Sequence, residues 1–281
     1  MTKPLWLIAN GASGSNDPAA LSHLLDLFAA ARCPIARVID IAETALPTKT
    51  ALDEAGVGTL AVFTGDGTAN AALTGLAGWA GSALVLPGGT SNLLSRQLHA
   101  DAELDVIIAR FGAGTLAVRR ISAVTCSAGL GLCEILAGPG AQWGDVREHL
   151  RDGAIVDVAS TALDAARASS SGSMVAIVDP ALGRHDGYSG VRLVPGADGI
   201  AVEGYGGDGV LDTVRQGVAL LRRDFREGPH DELGAYPALR CRSLGGSPIE
   251  LMIDGERHTG LAEERFSLAS LAVDLLACAD D

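Results

Sequence analysis

Three short runs in the N-terminal part of the chain combine glycines with hydroxyl, amide or carboxylate side chains. They are Asn10-Gly11-Ala12-Ser13-Gly14, Gly65-Asp66-Gly67-Thr68-Ala69-Asn70 and Gly88-Gly89-Thr90-Ser91-Asn92. Glycine omits the Cβ that would hold a phosphate away from the backbone, and the start of a helix offers N–H groups and the positive end of a dipole. Ser13, Thr68 and Thr90 add hydroxyl donors. Any one of these runs, taken singly, is a glycine turn or a helix cap. Three of one design point instead to a shared polyphosphate cradle. Asp66 is the discordant residue, because a carboxylate in such a cradle repels phosphate unless a cation lies between them. Mg²⁺, which binds through one or two carboxylates and phosphate oxygens, is the natural bridge. No lysine follows the glycines, so none of the runs is a Walker A loop, and none completes GxGxxG.

The elements around these runs repeat. Apolar stretches at 5–9, 36–41, 59–63 and 83–87 each precede a glycine-rich break or a helical pattern. Asp17-Pro18 reads as a cap followed by proline at the first helical position, and Leu21, Leu24, Leu25 and Phe28 then mark one helix face. Helices are expected across 48–56, 69–78, 91–98 and 102–111. Such strand–helix units imply a parallel sheet covered by helices, whose strand ends line one edge where ligands bind. From about residue 115 the pattern changes to short strands at 174–179, 189–195, 199–205, 239–244 and 249–254, with helical patterns near 142–168 and 210–225. The expected fold is therefore an α/β N-terminal domain, residues 1–115, and a mostly antiparallel β-rich domain, residues 116–281, whose last segment packs back on the first.

Composition narrows the functional classes. Hydrophobic residues make up 48% of the 281 residues, enough for a substantial core. A net charge of −13 argues against nucleic acid as a partner. No apolar run has the length of a membrane span, and the N-terminus lacks the pattern of a signal peptide. The five scattered cysteines, Cys33, Cys126, Cys133, Cys241 and Cys278, form no CxxC pair, which suits a reducing, cytoplasmic setting.

The ordered set of motifs resembles the diacylglycerol kinase catalytic family, which includes bacterial lipid kinases and sphingosine kinases. Gly65-Asp66-Gly67-Thr68-Ala69-Asn70 is similar to its GGDGTxN signature, with Thr64 at the first glycine. Pro87, Gly89, Thr90, Asn92 and Arg96 match PxGTxNxxxR, and Asn10, Ser13 and Gly14 match NPxSG, with Gly11 at the proline. Gly207-Asp208-Gly209-Val210-Leu211-Asp212 is similar to DDGxLD, and Asp254-Gly255-Glu256 to a late DGE element. Ala71 stands where many members carry glutamate, and Asp40 or Ile41 lies about where they carry threonine.

The resemblance implies a nucleotide-binding α/β domain followed by a β-sandwich-like lipid-binding domain, and transfer of the γ-phosphate of ATP to a lipid hydroxyl. ATP would lie on the three loops, through Asn10, Ser13, Gly14, Gly65, Asp66, Gly67, Thr68, Asn70, Gly89, Thr90 and Asn92, with Glu256 assisting. Asp66 would act through Mg²⁺, and Asp208 would be a structural Mg²⁺ ligand. The family is ambiguous about whether the loop or the DGE aspartate takes the proton; a metal-bound carboxylate is the poorer base, which favours Asp254. Asp254-Gly255 is equally a strong hairpin signal, and a turn can present a base. Two alternatives stay open, an NAD kinase-type enzyme and a nucleotide- or lipid-binding protein without turnover. Diacylglycerol, sphingoid bases, ceramide and phosphatidylglycerol are all open as acceptors. The enzyme is expected to meet its lipid transiently at the membrane, through apolar loop tips or the arginines Arg222, Arg223 and Arg226.

Overall fold

The computed structural model describes residues 3–10, 18–142, 173–206 and 230–278. The chain divides into two compact units, Met1–Ile121 with Ser270–Asp281, and Ser122–Ala269. The helical patterns near 142–168 and 210–225 lie outside the described residues, as do Ser13, Gly14, Asp208 and the arginines of 222–226.

The first unit runs β1 (Leu5–Ala9), α1 (Pro18–Ala30), β2 (Arg37–Asp40), α2 (Lys49–Glu54), β3 (Thr59–Thr64), α3 (Asp66–Gly75), β4 (Ser82–Pro87), α4 (Leu93–His99), α5 (Leu104–Gly112) and β5 (Ala117–Arg119). Its sheet has the order β2-β1-β3-β4, then the chain's last strand, Asp274–Ala277, then β5. The first five of these strands are parallel, and β5 is antiparallel to its neighbour. Near-continuous apolar strands suit a sheet buried on both faces. Leu5, Leu7, Ala61, Phe63, Leu84 and Leu86 pack on one face with Leu24 and Phe28 of α1 and Ile107 and Ile108 of α5. Leu21 and Leu25 pack against the same cluster, so the expected helix face is the buried one. The alternate residues Ile8, Leu60, Val62 and Val85 are buried as well.

The last strand enters this sheet between β4 and β5, and its end is clamped by α4. The buried His99 ring donates from Nε2 to Val85 O at 3.0 Å, which leaves Nδ1 to accept from the Cys278 thiol at 3.4 Å. Burial, which disfavours the imidazolium, lowers the His99 pKa and keeps this arrangement neutral.

The second unit is two antiparallel sheets. Its strands are β6 (Ser122–Cys126), β7 (Gly129–Gly131), β8 (Ile135–Ala137), β9 (Val175–Asp179), β10 (Ala181–Leu182), β11 (Gly190–Pro195), β12 (Ile200–Tyr205), β13 (His230–Tyr236), β14 (Ala238–Ser243), β15 (Glu250–Ile253), β16 (Glu256–Thr259) and β17 (Glu263–Ser270). The sheet orders are β10-β9-β14-β17-β6-β7 and β13-β12-β11-β8-β15-β16, and the last strand of the first unit is β18. Val124, Ile177, Leu239 and Phe266 from one sheet meet Ile135, Val191, Leu193, Val202 and Leu251 from the other in a single core. The alternation along β11, with Val191 and Leu193 buried and Arg192 between them on the other face, is that of an antiparallel sandwich. β5 belongs to the first sheet and the chain passes to the second unit after Ile121, a few residues beyond the sequence boundary at 115.

Candidate active site

The order β2-β1-β3-β4 places a topological switch beside β1. The chain moves outward from β1 to β2, then returns to the other side of β1 to continue through β3 and β4. In such sheets a crevice opens beyond the carboxyl ends of the strands where the order reverses. The register brings those ends level, with Ala9 opposite Phe63 and Thr64 opposite Pro87. Asn10, Gly65 and Gly88 therefore all leave the sheet along one edge, as the sequence implies.

At the end of β3, Gly65 is extended (φ −71°, ψ 165°) and caps α3, which begins at Asp66. The sequence places this helix start near Ala69; the structure puts Asp66, Gly67 and Thr68 in its first turn. A carboxylate in the first turn is stabilised by the helix dipole, which accounts for the earlier start. The first bond closing the helix runs from Ala69 N to Gly65 O at 3.0 Å. The amides of Asp66, Gly67 and Thr68 precede it and point toward the crevice end of the helix. A Cβ built on Gly65 meets nothing within 4 Å. This is open space beside a helix start, the place a phosphate group would fill.

The loop after β4 is shaped by Asn92. Its backbone is left-handed (φ 50°, ψ 39°), a conformation asparagine tolerates better than most residues. Its side-chain amide closes a ring on Gly89, accepting from Gly89 N at 2.7 Å and donating to Gly89 O at 2.9 Å. The two loops then touch backbone to backbone. A Cβ on Gly89 would lie 2.6 Å from Gly65 Cα, and one on Gly88 would lie 2.4 Å from the Phe63 carbonyl carbon. The glycines of this loop thus allow loop-on-loop packing, a role different from the phosphate approach expected of them. Asp66 Oδ1 completes the junction by accepting from Leu94 N at 3.1 Å, across 28 residues. Asp66, Thr68, Asn70, Gly89 and Asn92 are half-buried, and Thr90 is exposed.

The second unit holds Asp254 and Glu256. Asp254 (φ 48°) and Gly255 (φ 92°) are the two central residues of the β15–β16 hairpin, the geometry a two-residue Asp-Gly turn requires. The Asp254 carboxylate is 4% exposed and faces inward. Its Oδ2 accepts from Leu132 N at 2.7 Å, and its Oδ1 from Cys133 N at 2.8 Å and Glu134 N at 2.9 Å. Accepting from these three backbone amides, Asp254 holds the 132–134 segment in place. Glu256 is exposed on the edge strand β16.

Glu134, a residue the sequence reading missed, opens a buried polar chain in the same unit. Arg192 Nε donates to Glu134 Oε2 at 2.8 Å, Arg192 Nη1 to Glu203 Oε2 at 3.0 Å, and the Tyr205 hydroxyl also donates to Glu203 Oε2. Burial works to lower the Arg192 pKa, but Glu134 and then Glu203 outweigh it and hold the guanidinium charged. Burial and the neighbouring Glu203 carboxylate raise the Tyr205 pKa, keeping the phenol protonated. The one signal for Glu134 in the sequence is a lone charge between the apolar runs Gly131–Cys133 and Ile135–Ala137.

Comparisons with known proteins agree with this architecture. The family model described as diacylglycerol kinase catalytic domain matches residues 4–122. A diacylglycerol kinase structure from Bacillus anthracis str. Sterne is similar at a TM-score of 0.61 and 15% identity, covering 98% of this chain and 97% of that one. A second structure from that organism, provisionally named a diacylglycerol kinase, gives a TM-score of 0.64 at 16% identity over 99% and 96% of the two chains. A search of curated proteins finds no match. The family-model match spans the residues that carry the switch-point crevice and two of its three loops in the described residues, so this part of the chain is similar to a diacylglycerol kinase catalytic domain.

Proposed function

We propose that this protein is a lipid kinase that uses ATP and transfers its γ-phosphate to a lipid hydroxyl. The observation that carries this reading is the joined pair of loops at the switch point, where Gly65 leaves open space beside a helix start and Asp66 is fixed to the neighbouring helix through Leu94 N. The α3 N-terminus and the glycine backbone orient the phosphates. Asp66 is a hard oxygen donor at that place, and no group of three or more His, Cys, Asp or Glu gathers as a metal cage among the described residues. That donor set fits Mg²⁺, which needs one or two carboxylates and completes its shell with phosphate oxygens and water. When bound, the ion would neutralise charge on the phosphates. In the transfer, the lipid oxygen forms a bond to the γ-phosphorus while the bond to the β–γ bridging oxygen breaks, and ADP leaves with that electron pair. The hydroxyl proton is released late, because such transition states are loose and the acceptor gains little charge early. Asp66 is the half-buried carboxylate of this crevice and would hold the ion; a metal-bound carboxylate is a poor base, so the late proton passes to water. Asp254 acts indirectly, by holding the 132–134 segment.

Gly65→Val tests the cradle. The backbone at φ −71° accepts a side chain, and a Cβ at this position meets no atom within 4 Å. The variant should keep its thermal midpoint and lose ATP binding by about tenfold or more, measured by calorimetric titration, as an oxygen is held off the backbone amides. Wild-type affinity in the folded variant would mean that the Gly65 space is not where phosphate lies.

A further inference from the structure

The helix α4 has seven residues, too few to hold its place without tertiary contacts. Its cap Asn92 makes no side-chain bond to the helix, because that side chain is spent on Gly89. Asp66 and Cys278, both remote in sequence, supply bonds at its two ends. At the start, Leu94 N donates to Asp66 Oδ1 at 3.1 Å. At the other end, Leu98 O accepts from Cys278 N at 3.0 Å, and the Cys278 thiol donates to His99 Nδ1 at 3.4 Å. The first bond satisfies an N–H of the opening turn, and the backbone bond from Cys278 satisfies a carbonyl of the last. All of these residues belong to the first unit.

Between its ends the helix is packed on the sheet. Leu94, Ser95, Leu98 and His99 are buried, and the His99 ring donates from Nε2 to Val85 O of β4. β18 lies beside β4, with Leu275 opposite Ala83, and β4 runs on into the Gly88-Gly89 loop. A helix of this length spans about 10 Å. In a close-packed interior, a displacement at one end of so short a rod is carried to the other. The atom met at the far end is Asp66 Oδ1, and its bond to Leu94 N sets how the carboxylate is turned in the crevice.

We infer that the Cys278–His99 contact positions Asp66, by holding the C-terminal end of α4 so that Leu94 N meets the Asp66 carboxylate. The inference takes its purpose, a carboxylate set to hold the phosphate-bound cation, from the kinase reading; its geometric part is tested without nucleotide. Amide hydrogen exchange of the full chain, followed by NMR, reads the coupling. Cys278→Ala removes the thiol bond and should speed Leu94 N–H exchange by about two- to tenfold, the range for loss of one hydrogen bond. Leu60 and Val62, buried in β3, should exchange as in wild type. Cys278→Ser keeps a donor for His99 Nδ1 and should restore the wild-type Leu94 rate. Cys241→Ala, at a buried cysteine of the second unit, should leave Leu94 unchanged. Coupling is reciprocal, so Asp66→Ala should speed exchange of the Cys278 amide by a similar factor. That arm decides the matter if Cys278→Ala does not fold. An unchanged Leu94 rate in folded Cys278→Ala, or an unchanged Cys278 rate in Asp66→Ala, would overturn the inference. An equal effect of Cys241→Ala, or no rescue by serine, would also overturn it. The Mg²⁺ concentration giving half-maximal ATP binding is measured in parallel, and should rise in Cys278→Ala but not in Cys278→Ser or Cys241→Ala. Faster Leu94 exchange with an unchanged Mg²⁺ requirement supports the positioning and removes Asp66 as holder of the ion. Unchanged exchange with Mg²⁺-dependent ATP binding intact removes the positioning and leaves the kinase reading standing.

Discussion

Three backbone amides converge on the Asp254 carboxylate, and neutralising it would leave one of them facing a donor. Asp254→Asn keeps the side chain's size but turns an N–H toward the 132–134 backbone. The expected cost is about 1–3 kcal/mol of stability, read as a lower thermal midpoint, with transfer falling only as far as the displaced segment disturbs the second unit. An unchanged midpoint with transfer reduced by about a hundredfold or more would make Asp254 the proton acceptor. The double reading of Asp254-Gly255 as turn and base was visible in the sequence, because the dipeptide is a turn signal wherever it stands. The direction of its carboxylate was not, since that depends on which backbone lies beneath the hairpin. Asp66 was more legible. A carboxylate between glycines at a strand-to-helix junction has few structural uses, and it lies on the crevice edge. Its bond to Leu94 N could not be read, because it depends on how two loops 28 residues apart are stacked.

The two βα loops are packed against each other backbone to backbone. Gly89→Ala would force a Cβ to within 2.6 Å of Gly65 Cα, a backbone atom that cannot swing aside. The loops must separate, at a cost of about 1–3 kcal/mol for overpacking, and the Asp66–Leu94 bond should lengthen with them. ATP affinity should therefore fall together with stability, and a variant with both properties of the wild type would contradict the packing described here. β1, β3 and β4 were legible from the sequence because each is a short apolar run soon followed by glycine or proline; β2, Arg-Val-Ile-Asp, lacks such a stop. Others were not. β16 is Glu-Arg-His-Thr, wholly exposed on a sheet edge, with no apolar alternation to mark it. β17 hides a 1%-exposed carboxylate, Glu264, among its inward positions; that side chain is satisfied by Ser127 N, Ser127 Oγ and Leu261 N. β5, β7 and β8 have three residues each, too few for a period to show.

For the whole molecule, the change from strand–helix units to antiparallel strands marks the two units, and the sequence carries it because the two sheet types need different hydrophobic patterns. The placement of β18 is less readable: a four-residue apolar strand 187 or more positions from β4 declares no partner, and the His99–Cys278 contact that fixes its end joins residues 179 apart. No helix among the described residues is long and apolar enough to cross a membrane. The account's central claim is that phosphate moves from ATP to a lipid hydroxyl, and the most direct measurement supplies γ-labelled ATP, Mg²⁺ and the protein with diacylglycerol, sphingoid base, ceramide and phosphatidylglycerol in mixed micelles, with NAD in a separate reaction. The account predicts label in the organic phase with at least one lipid, none in NAD, and none with either when Asp66 is replaced by Asn. Label in NAD alone, or ATP bound with label in no acceptor, would contradict it.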